Sequence, residues 1–291
     1  MTDCERLRKS SQYVRHWIRK QADVKEESLT DWLLFDVSEK IPSISYKAFS
    51  RHDEARRTGA DWEWWFLFPS FSFAMRVQAK KLHPSADNYP SIAYTNRHGL
   101  QIEKLLRDAA RGNFMPFYAF YTDQAADVLC QMKRNDEGVF MAGGQTIYEA
   151  FLAGPREQVM AADALKHTVA LSCFLCCPLA SGESLHDLGN TEDCGNNRLE
   201  RFIRNYFGTE LRPKYTEMNS SISEVERIPG MRERAPDHIE SFVKLSREGL
   251  PDWWEKEFAY AIEDTNALIV YDLREGPTLI RPPVVKGKKD R

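Results

Sequence analysis

The sequence lacks any hydrophobic segment long enough to cross a lipid bilayer. Its longest apolar run, residues 169–180, contains Ser172 and Pro178, whereas a membrane-spanning helix needs about 20 consecutive apolar residues. The N-terminal segment MTDCERLRKSS is charged and has no apolar stretch of the kind found in signal peptides. These two absences predict a cytoplasmic protein with reduced thiols and no membrane partner.

An excess of positive charge is also missing. The chain has 40 Lys and Arg residues against 43 Asp and Glu residues, which gives a formal net charge of −3. This balance excludes a protein that attracts nucleic acid through its overall charge. Any contact with a polyanion must therefore come from local basic patches.

Cysteine is scarce, and its spacing is incomplete for a strong metal motif. Cys173, Cys176 and Cys177 form a C-x-x-C-C run, followed downstream by His186 and Cys194. A second C-x-x-C would complete a zinc site, and none is present. Cysteines at an apolar helix end usually behave as small hydrophobic residues, so packing is favoured here. A zinc-organised interaction protein remains as a third hypothesis.

Length and composition are typical of a globular protein. The chain has 291 residues, of which 42% are hydrophobic and 29% charged, and it is near the upper size for one hydrophobic core. We expect a core over residues 1–153 and a mainly helical extension over residues 154–291. The segment NALIVYDLR, residues 266–274, predicts a buried strand that can join the core sheet.

The order of the predicted elements indicates an α/β fold. Apolar residues recur at helical spacing, which predicts helices over residues 7–18, 29–41, 99–112, 123–134, 145–153 and 156–173. Apolar and aromatic runs predict strands over residues 44–49, 92–94 and 116–121, in addition to a central hairpin.

That hairpin, GADWEWWFLFPSFSFAMRVQAK from Gly59 to Lys80, carries the most functional information. Because side chains alternate across a strand, Asp61 and Glu63 share one face of the first segment. Gln78 and Lys80 likewise share one face of the second. Two carboxylates, an amide oxygen and an ammonium on one face suit a divalent cation and a phosphate.

The number of loop residues around Pro69 and Ser70 decides whether these groups meet. An even number places both polar sets on one face and pairs Asp61 with Gln78 or Lys80, whereas an odd number separates them. A half-exposed hairpin with a solvated polar side is the simpler alternative. The aromatic first strand argues against it, since such a strand is poorly suited to a solvated edge.

This arrangement resembles the PD-(D/E)xK nuclease superfamily, which has the restriction-endonuclease-like fold. In that family an aspartate opens one strand, an E-x-K or Q-x-K triplet lies on the next, and a glutamate from a preceding helix often completes the site. The resemblance covers residues 26–121, with Asp61 as the motif aspartate and Gln78-Ala79-Lys80 as the triplet. It implies a mixed central sheet flanked by helices.

The resemblance also implies a set of site residues. The catalytic candidates are Glu27, Asp61, Gln78 and Lys80, with Glu26 as the less favoured helix carboxylate and Glu63 and Gln101 as additional candidates. Asp61, Gln78 and Glu27 would ligate Mg²⁺ or Mn²⁺, which polarises the phosphate and activates a water. Lys80 would orient that water or neutralise developing charge.

The implied function is a metal-dependent nuclease that hydrolyses phosphodiester bonds, of DNA in preference to RNA, in prokaryotic antiviral defence. Nucleic-acid contacts are expected from Arg76, Lys81, Arg97, Lys104, Arg107 and Arg111. The last three recur at helical spacing and are expected on the exposed face of the helix that follows the triplet. A homodimer or a defence-system protein is the implied protein partner. The alternative is an inactive nuclease-fold module for nucleic-acid binding or assembly, which the neutral Gln78 and the acidic net charge favour.

Overall fold

The structure is a computed structural model that describes residues 1–49, 59–69, 71–82, 87–96, 99–125, 127–129, 134–153, 159–176, 202, 229–246, 249–262 and 266–274. Its strands are β1 (Ile44–Ala48), β2 (Trp62–Leu67), β3 (Ser72–Lys81), β4 (Thr95–Asn96), β5 (Gly99–Leu100), β6 (Met115–Tyr121), β7 (Val139–Gly143), β8 (Val169–Ala170), β9 (Met231–Arg232) and β10 (Ala267–Asp272).

The helices precede, follow and separate these strands. They are α1 (Asp3–Lys20), α2 (Glu26–Lys40), α3 (Gln101–Arg111), α4 (Gly144–Phe151), α5 (Ala161–Leu165), α6 (Cys173–Cys176), α7 (Asp237–Ser246), α8 (Asp252–Glu257) and α9 (Ala259–Ile262), together with a 3₁₀ turn at Pro90–Ala93. None of these helices in the described part of the chain is long and apolar enough to cross a membrane.

One mixed sheet forms the centre of the fold. Its strand order is β1-β10-β2-β3-β6-β7-β8, and β9 pairs with β3 outside this path. The β10–β2 and β3–β6 pairs are parallel, whereas β1–β10, β2–β3, β6–β7 and β7–β8 are antiparallel. The predicted α/β class, with a mixed central sheet flanked by helices, is confirmed.

The late strand lies inside this sheet. β10 pairs with β1 on one side and with β2 on the other, and it is buried along almost its whole length. β8 and β9 also come from the part of the chain after residue 153. The sheet therefore contains strands from both sides of the predicted boundary between residues 153 and 154.

Both faces of the sheet are covered, which explains the many aromatic residues of β2. Three aromatic residues at even positions of β2 point to one face: Trp62, Trp64 and Phe66. They belong to a large core that includes the apolar faces of α1 and α2. Trp65 and Leu67 point to the opposite face and pack in a second core with side chains of α7 and with Trp254 of α8. The alternation predicted for β2 therefore holds, with a hydrophobic layer on each side.

The β2–β3 hairpin has an even loop. Leu67 pairs with Ser72 at the end of the hairpin and Trp62 pairs with Val77, so residues 68–71 form the connection. The backbone N–H of Phe68 donates to the carbonyl of Phe71 at 2.9 Å. Continuing this register by one residue places Asp61 opposite Gln78, as the even-loop alternative predicts.

Three predicted elements differ from the structure. Residues 123–125 and 127–129 are not helical, because the hydroxyl of Thr122 caps a turn through the N–H of Gln124 at 3.0 Å. Residues 90–93 form a 3₁₀ turn, which begins at a proline with a preset φ. Of the helix predicted over residues 156–173, the described part contains α5 and then β8, whose residues complete an antiparallel ladder with β7.

Candidate functional site

Four polar side chains form one continuous hydrogen-bonded cluster at the end of the hairpin. Gln78 Nε2 donates to Asp61 Oδ2 at 2.5 Å. Gln101 Nε2 donates to Gln78 Oε1 at 2.7 Å. Lys80 Nζ donates to Gln101 Oε1 at 2.8 Å. We call these four residues the polar cluster.

Asp61 is held by the backbone of the neighbouring strand. Its Oδ2 accepts the N–H of Ala79 at 2.7 Å in addition to the Gln78 amide. Its own N–H donates to the carbonyl of Val77 at 2.8 Å. A carboxylate with such donors is fixed in position.

Gly59 lets the hairpin approach α3 closely enough to form the cluster. Its φ is +70°, and a Cβ at this position would lie 2.8 Å from the carbonyl oxygen of Gln101. A backbone oxygen cannot move aside, so the close approach requires a residue without a side chain. Gly59 therefore brings the strand that carries Asp61 against the first turn of α3, where Gln101 lies.

Lys80 is almost completely buried, with 5% of its surface exposed. A buried ammonium is stable only where hydrogen bonds and negative charges compensate for the lost water. Gln101 supplies the hydrogen bond, and the charge of Glu26 lies close enough to interact with that of Lys80. The amine is consequently held in one place.

Glu26, not Glu27, is the helix carboxylate beside the polar cluster. Its Oε2 accepts the backbone N–H of Lys81 at 2.6 Å. Burial raises the pKa of Glu26 to about 7; the charge of Lys80 lowers it and that of Asp61 raises it. Glu27 is exposed. The choice of Glu27 as a catalytic residue and metal ligand is thus corrected.

Helix phase explains this correction and was available in the sequence. Adjacent residues on an α-helix differ by about 100° in direction, so only one of the pair can face the site. The residues three, four and seven positions after Glu26 are all buried: Leu29, Thr30 and Leu33. Asp31, four positions after Glu27, is exposed, so Glu26 lies on the more deeply buried face.

Glu63 and Arg76 form a separate buried ion pair. Arg76 Nε and Nη2 lie 3.1 and 2.9 Å from Glu63 Oε1, and the guanidinium lies 4.4 Å from the ring centroid of Phe114. Burial raises the pKa of Glu63, and the charge of Arg76 lowers it. The proposals that Glu63 belongs to the site and that Arg76 contacts nucleic acid are therefore corrected.

The predicted nucleic-acid contacts are only partly on the surface. Arg107 and Arg111 are exposed on α3, whereas Lys104 is buried, so the prediction that all three share an exposed face is wrong. Lys104 lies on the side of α3 that meets Gly59. Lys81 is half-buried and donates from Nζ to the carbonyl of Ala22 at 2.5 Å. Arg97 lies outside the described residues.

Tyr118 is a neighbour of the cluster that the sequence patterns did not single out. It pairs with Gln78 in the parallel β3–β6 register, and Phe120 pairs with Lys80. Side chains at paired positions project to the same face of a sheet. The signal for Tyr118 exists only in the register of two strands that are distant in sequence.

In the described part of the chain, the site brings together too few carboxylates to bind a metal ion through carboxylates alone. Within the described residues no group of three or more His, Cys, Asp or Glu side chains is arranged to hold a metal ion. The cysteine and histidine run considered for zinc continues through Cys177, His186 and Cys194, which lie outside the described residues.

A protein-family model matches most of the chain. Residues 3–274 match the model of a family described as a family of unknown function, DUF6615. The chain belongs to the DUF6615 family. This DUF6615 match extends from α1 to the residues that follow β10, so it includes the polar cluster, Glu26 and all strands described above. No curated protein matches the sequence.

Proposed function

We propose that this DUF6615 protein is a metal-dependent nuclease that hydrolyses phosphodiester bonds of nucleic acid, with DNA preferred over RNA. The observation that supports it is the convergence of Asp61, Gln78 and Lys80 at one end of a hairpin. Glu26 adds a carboxylate from a helix that precedes the hairpin. The restriction-endonuclease-like resemblance of the sequence points to the same chemistry.

The donor set fits a hard divalent cation with one adjustment. Mg²⁺ and Mn²⁺ prefer oxygen ligands, and Asp61 and Glu26 offer carboxylates. Gln78 now presents its amide nitrogen to Asp61. A rotation of the amide by about 180° brings the oxygen into that position without moving the backbone. Bound Mg²⁺ or Mn²⁺ would supply Lewis acidity and a water of lowered pKa.

The protein groups have distinct roles in this proposal. Asp61 and Glu26 would hold the cation through their carboxylate oxygens. Lys80 stabilises negative charge on the phosphoryl oxygens or orients the attacking water, and its burial fixes the amine before substrate arrives. Before the cation binds, Gln101 holds Lys80 in position through a hydrogen bond of 2.8 Å.

The exposed arginines of α3 offer a contact for the nucleic-acid backbone. α3 begins at Gln101 in the cluster, and an α-helix rises about 1.5 Å per residue, so Arg107 and Arg111 lie about 9 and 15 Å along it. Phosphates on either side of a scissile bond could contact these side chains. The proposal includes a cytoplasmic location, which rests on the lack of a long apolar segment in the sequence, and a role in prokaryotic defence, which rests on the sequence resemblance.

An inactive nuclease-fold module for nucleic-acid binding or assembly is the second candidate. The amide of Gln78 favours it for two reasons. It is neutral, so it adds no charge to that of Asp61 and Glu26, and its nitrogen, not its oxygen, contacts Asp61. In this case Asp61 and Lys80 would serve the fold and its interactions, and no phosphodiester would be hydrolysed.

The direct test is cleavage of plasmid, single-stranded DNA and RNA in Mg²⁺ or Mn²⁺ by wild type, Asp61→Asn and Lys80→Met. The matched controls are Asp163→Asn and Lys166→Met, which change a surface ion pair of 2.8 Å in and after α5. We expect the cluster variants to lose at least about 100-fold in rate and the controls to keep wild-type rates. If wild type and the cluster variants are equally inactive on every substrate, the nuclease proposal is wrong and the inactive binding module is supported.

A further inference from the structure

A fully buried hydroxyl without a partner lies beside the polar cluster. Tyr118, in the middle of β6, has 0% of its surface exposed, and its Oη has no hydrogen-bond partner in the described structure. A phenylalanine would fill the same space without burying an unpaired polar group. The hydroxyl therefore needs an explanation other than packing.

Two other buried tyrosine hydroxyls of this protein are paired, whereas that of Tyr89, like that of Tyr118, has no partner among the described residues. The hydroxyl of Tyr121, three residues later on the same strand, lies 2.9 Å from that of Thr30. The hydroxyl of Tyr271 on β10 donates to Asp3 Oδ2 at 2.8 Å. These two pairs provide reference positions at which a tyrosine hydroxyl has a structural role.

The position of Tyr118 directs its hydroxyl to the site. Its register partner on β3 is Gln78, and its ring stacks on Phe120 with a centroid distance of 5.6 Å and an interplanar angle of 13°. Burial raises the pKa of Tyr118, and the charges of Asp61 and Glu26 add to this effect. The phenol is therefore within electrostatic range of both carboxylates and keeps its proton.

A protonated hydroxyl near two carboxylates and a lysine can act as a donor to an anionic ligand. The ligand must be small or extended enough to reach a buried position, and it must carry oxygen acceptors with negative charge. A nonbridging phosphate oxygen meets these requirements, and hydrogen bonds to charged acceptors are stronger than those between neutral groups.

We propose that Tyr118 is a substrate-positioning residue whose hydroxyl donates a hydrogen bond to a nonbridging oxygen of the phosphodiester next to the polar cluster. This inference rests on the proposed function, because it assumes that a nucleic-acid phosphate enters the site. Substrate binding would then satisfy a donor that the folded protein leaves unpaired.

The test compares Tyr118→Phe with Tyr271→Phe and wild type in three measurements. These are the unfolding temperature, the affinity for a fluorescent DNA oligonucleotide by anisotropy in EDTA and in Ca²⁺, and kcat and KM for cleavage of the same DNA in Mg²⁺. We expect Tyr118→Phe to unfold at or above the wild-type temperature, since no protein hydrogen bond is lost. We expect its DNA affinity and kcat/KM to fall about 10- to 100-fold.

Tyr271→Phe should show the opposite pattern, with a lower unfolding temperature and unchanged DNA affinity. Wild-type affinity and kcat/KM in Tyr118→Phe would overturn the inference while leaving the nuclease proposal intact. A drop in unfolding temperature as large as that of Tyr271→Phe would also overturn it, because the hydroxyl would then have a structural partner.

Failure of the nuclease proposal gives a different result. If wild type cleaves no substrate but binds the oligonucleotide, weaker binding by Tyr118→Phe supports a phosphate contact in an inactive module, and equal binding overturns it. If wild type neither cleaves nor binds DNA, both proposals are wrong.

Discussion

Gln78 turns its amide nitrogen, not its oxygen, toward Asp61. The nitrogen donates to Oδ2 of Asp61 at 2.5 Å, and the amide oxygen accepts from Gln101 at 2.7 Å. Gln101 in turn accepts from Lys80. Rotation of one amide therefore affects the next: if Gln78 reverses, Gln101 must reverse as well, and the hydrogen bond that holds Lys80 is lost or replaced.

Replacing Gln78 by Glu tests whether this position faces a cation. The variant places a third carboxylate beside Asp61 and Glu26, so without divalent cations we expect a loss of about 1–3 kcal/mol in unfolding free energy. Mg²⁺ should raise its unfolding temperature more than that of wild type, because the added charge strengthens cation binding. Thermal unfolding with and without Mg²⁺ measures both effects.

Gln145→Glu is the matched control for this charge change. Gln145 lies on α4 and its amide contacts Glu149 at 2.7 Å, so the variant also brings two carboxylates together, but away from the polar cluster. Its response to Mg²⁺ should equal that of wild type. A Gln78→Glu variant with no greater Mg²⁺ response than this control would contradict a cation at Asp61.

Glu26 makes stability depend on pH. Its pKa is raised from 4.5 to about 7 by burial first, and Lys80 and Asp61 act on it with opposite signs. A carboxyl with a raised pKa in the folded state favours folding when protonated. The unfolding free energy should therefore fall as pH rises from about 4.5 to about 7, by up to about 3 kcal/mol from this group.

Urea unfolding of wild type and Glu26→Gln at pH 5 and pH 8 measures this contribution. The variant should lose less stability between the two pH values. Glu137→Gln is the reference, because burial also raises the pKa of Glu137 to about 7, and its effect should add to that of Glu26→Gln. Equal pH dependence of wild type and Glu26→Gln would show that this carboxyl is not buried in solution.

Gly59→Ala should destabilise the protein by about 1–3 kcal/mol and lower cleavage if the variant folds. The alanine meets two costs, a positive φ of 70° and a Cβ 2.8 Å from the carbonyl oxygen of Gln101. Gly99→Ala separates them, because Gly99 has a φ of +104° but no atom within 4 Å of a Cβ. Chemical unfolding of both variants gives the cost of the close approach. Equal losses would mean that the approach to α3 does not matter.

Glu63 and Arg76 should prove structural. Glu63→Ala leaves the charge of Arg76 without its carboxylate and should cost about 3–5 kcal/mol of unfolding free energy. Arg76→Ala should cost less, because the charge of Arg232 also acts on Glu63. The double variant Glu63→Leu/Arg76→Met should be far more stable than the sum of the single losses predicts. If the double variant folds as wild type but no longer cleaves DNA, the pair has a role in the site after all.

The local features of the fold were predictable from the sequence. Alternation of side chains in residues 61–66 and 73–80 predicted which residues share a face of each strand. The sequence left the loop parity open, and the structure has the even-loop alternative with Asp61 opposite Gln78. Helical spacing placed α1, α2 and α3 correctly to within a few residues. These features depend on residues close in the chain, for which periodicity is a direct physical constraint.

Other outcomes depended on contacts between distant segments. The exposed-face assignment of Lys104 failed because Gly59 packs against that side of α3. The strand predicted over residues 266–274 joins the core sheet, and only the structure shows that it inserts between β1 and β2. Neither contact leaves a periodic pattern in the sequence.

The sequence alone determined which residues share a face within each hairpin strand, since the side-chain period of a strand is two residues, and it left open whether the loop brings the two polar sets together. Only the tertiary structure decided that Gln101 completes the chain from Asp61 to Lys80 and that Tyr118 lies beside Gln78. The reason is that helix packing and parallel strand register join segments far apart in the chain, where side-chain periodicity carries no information about which residues meet.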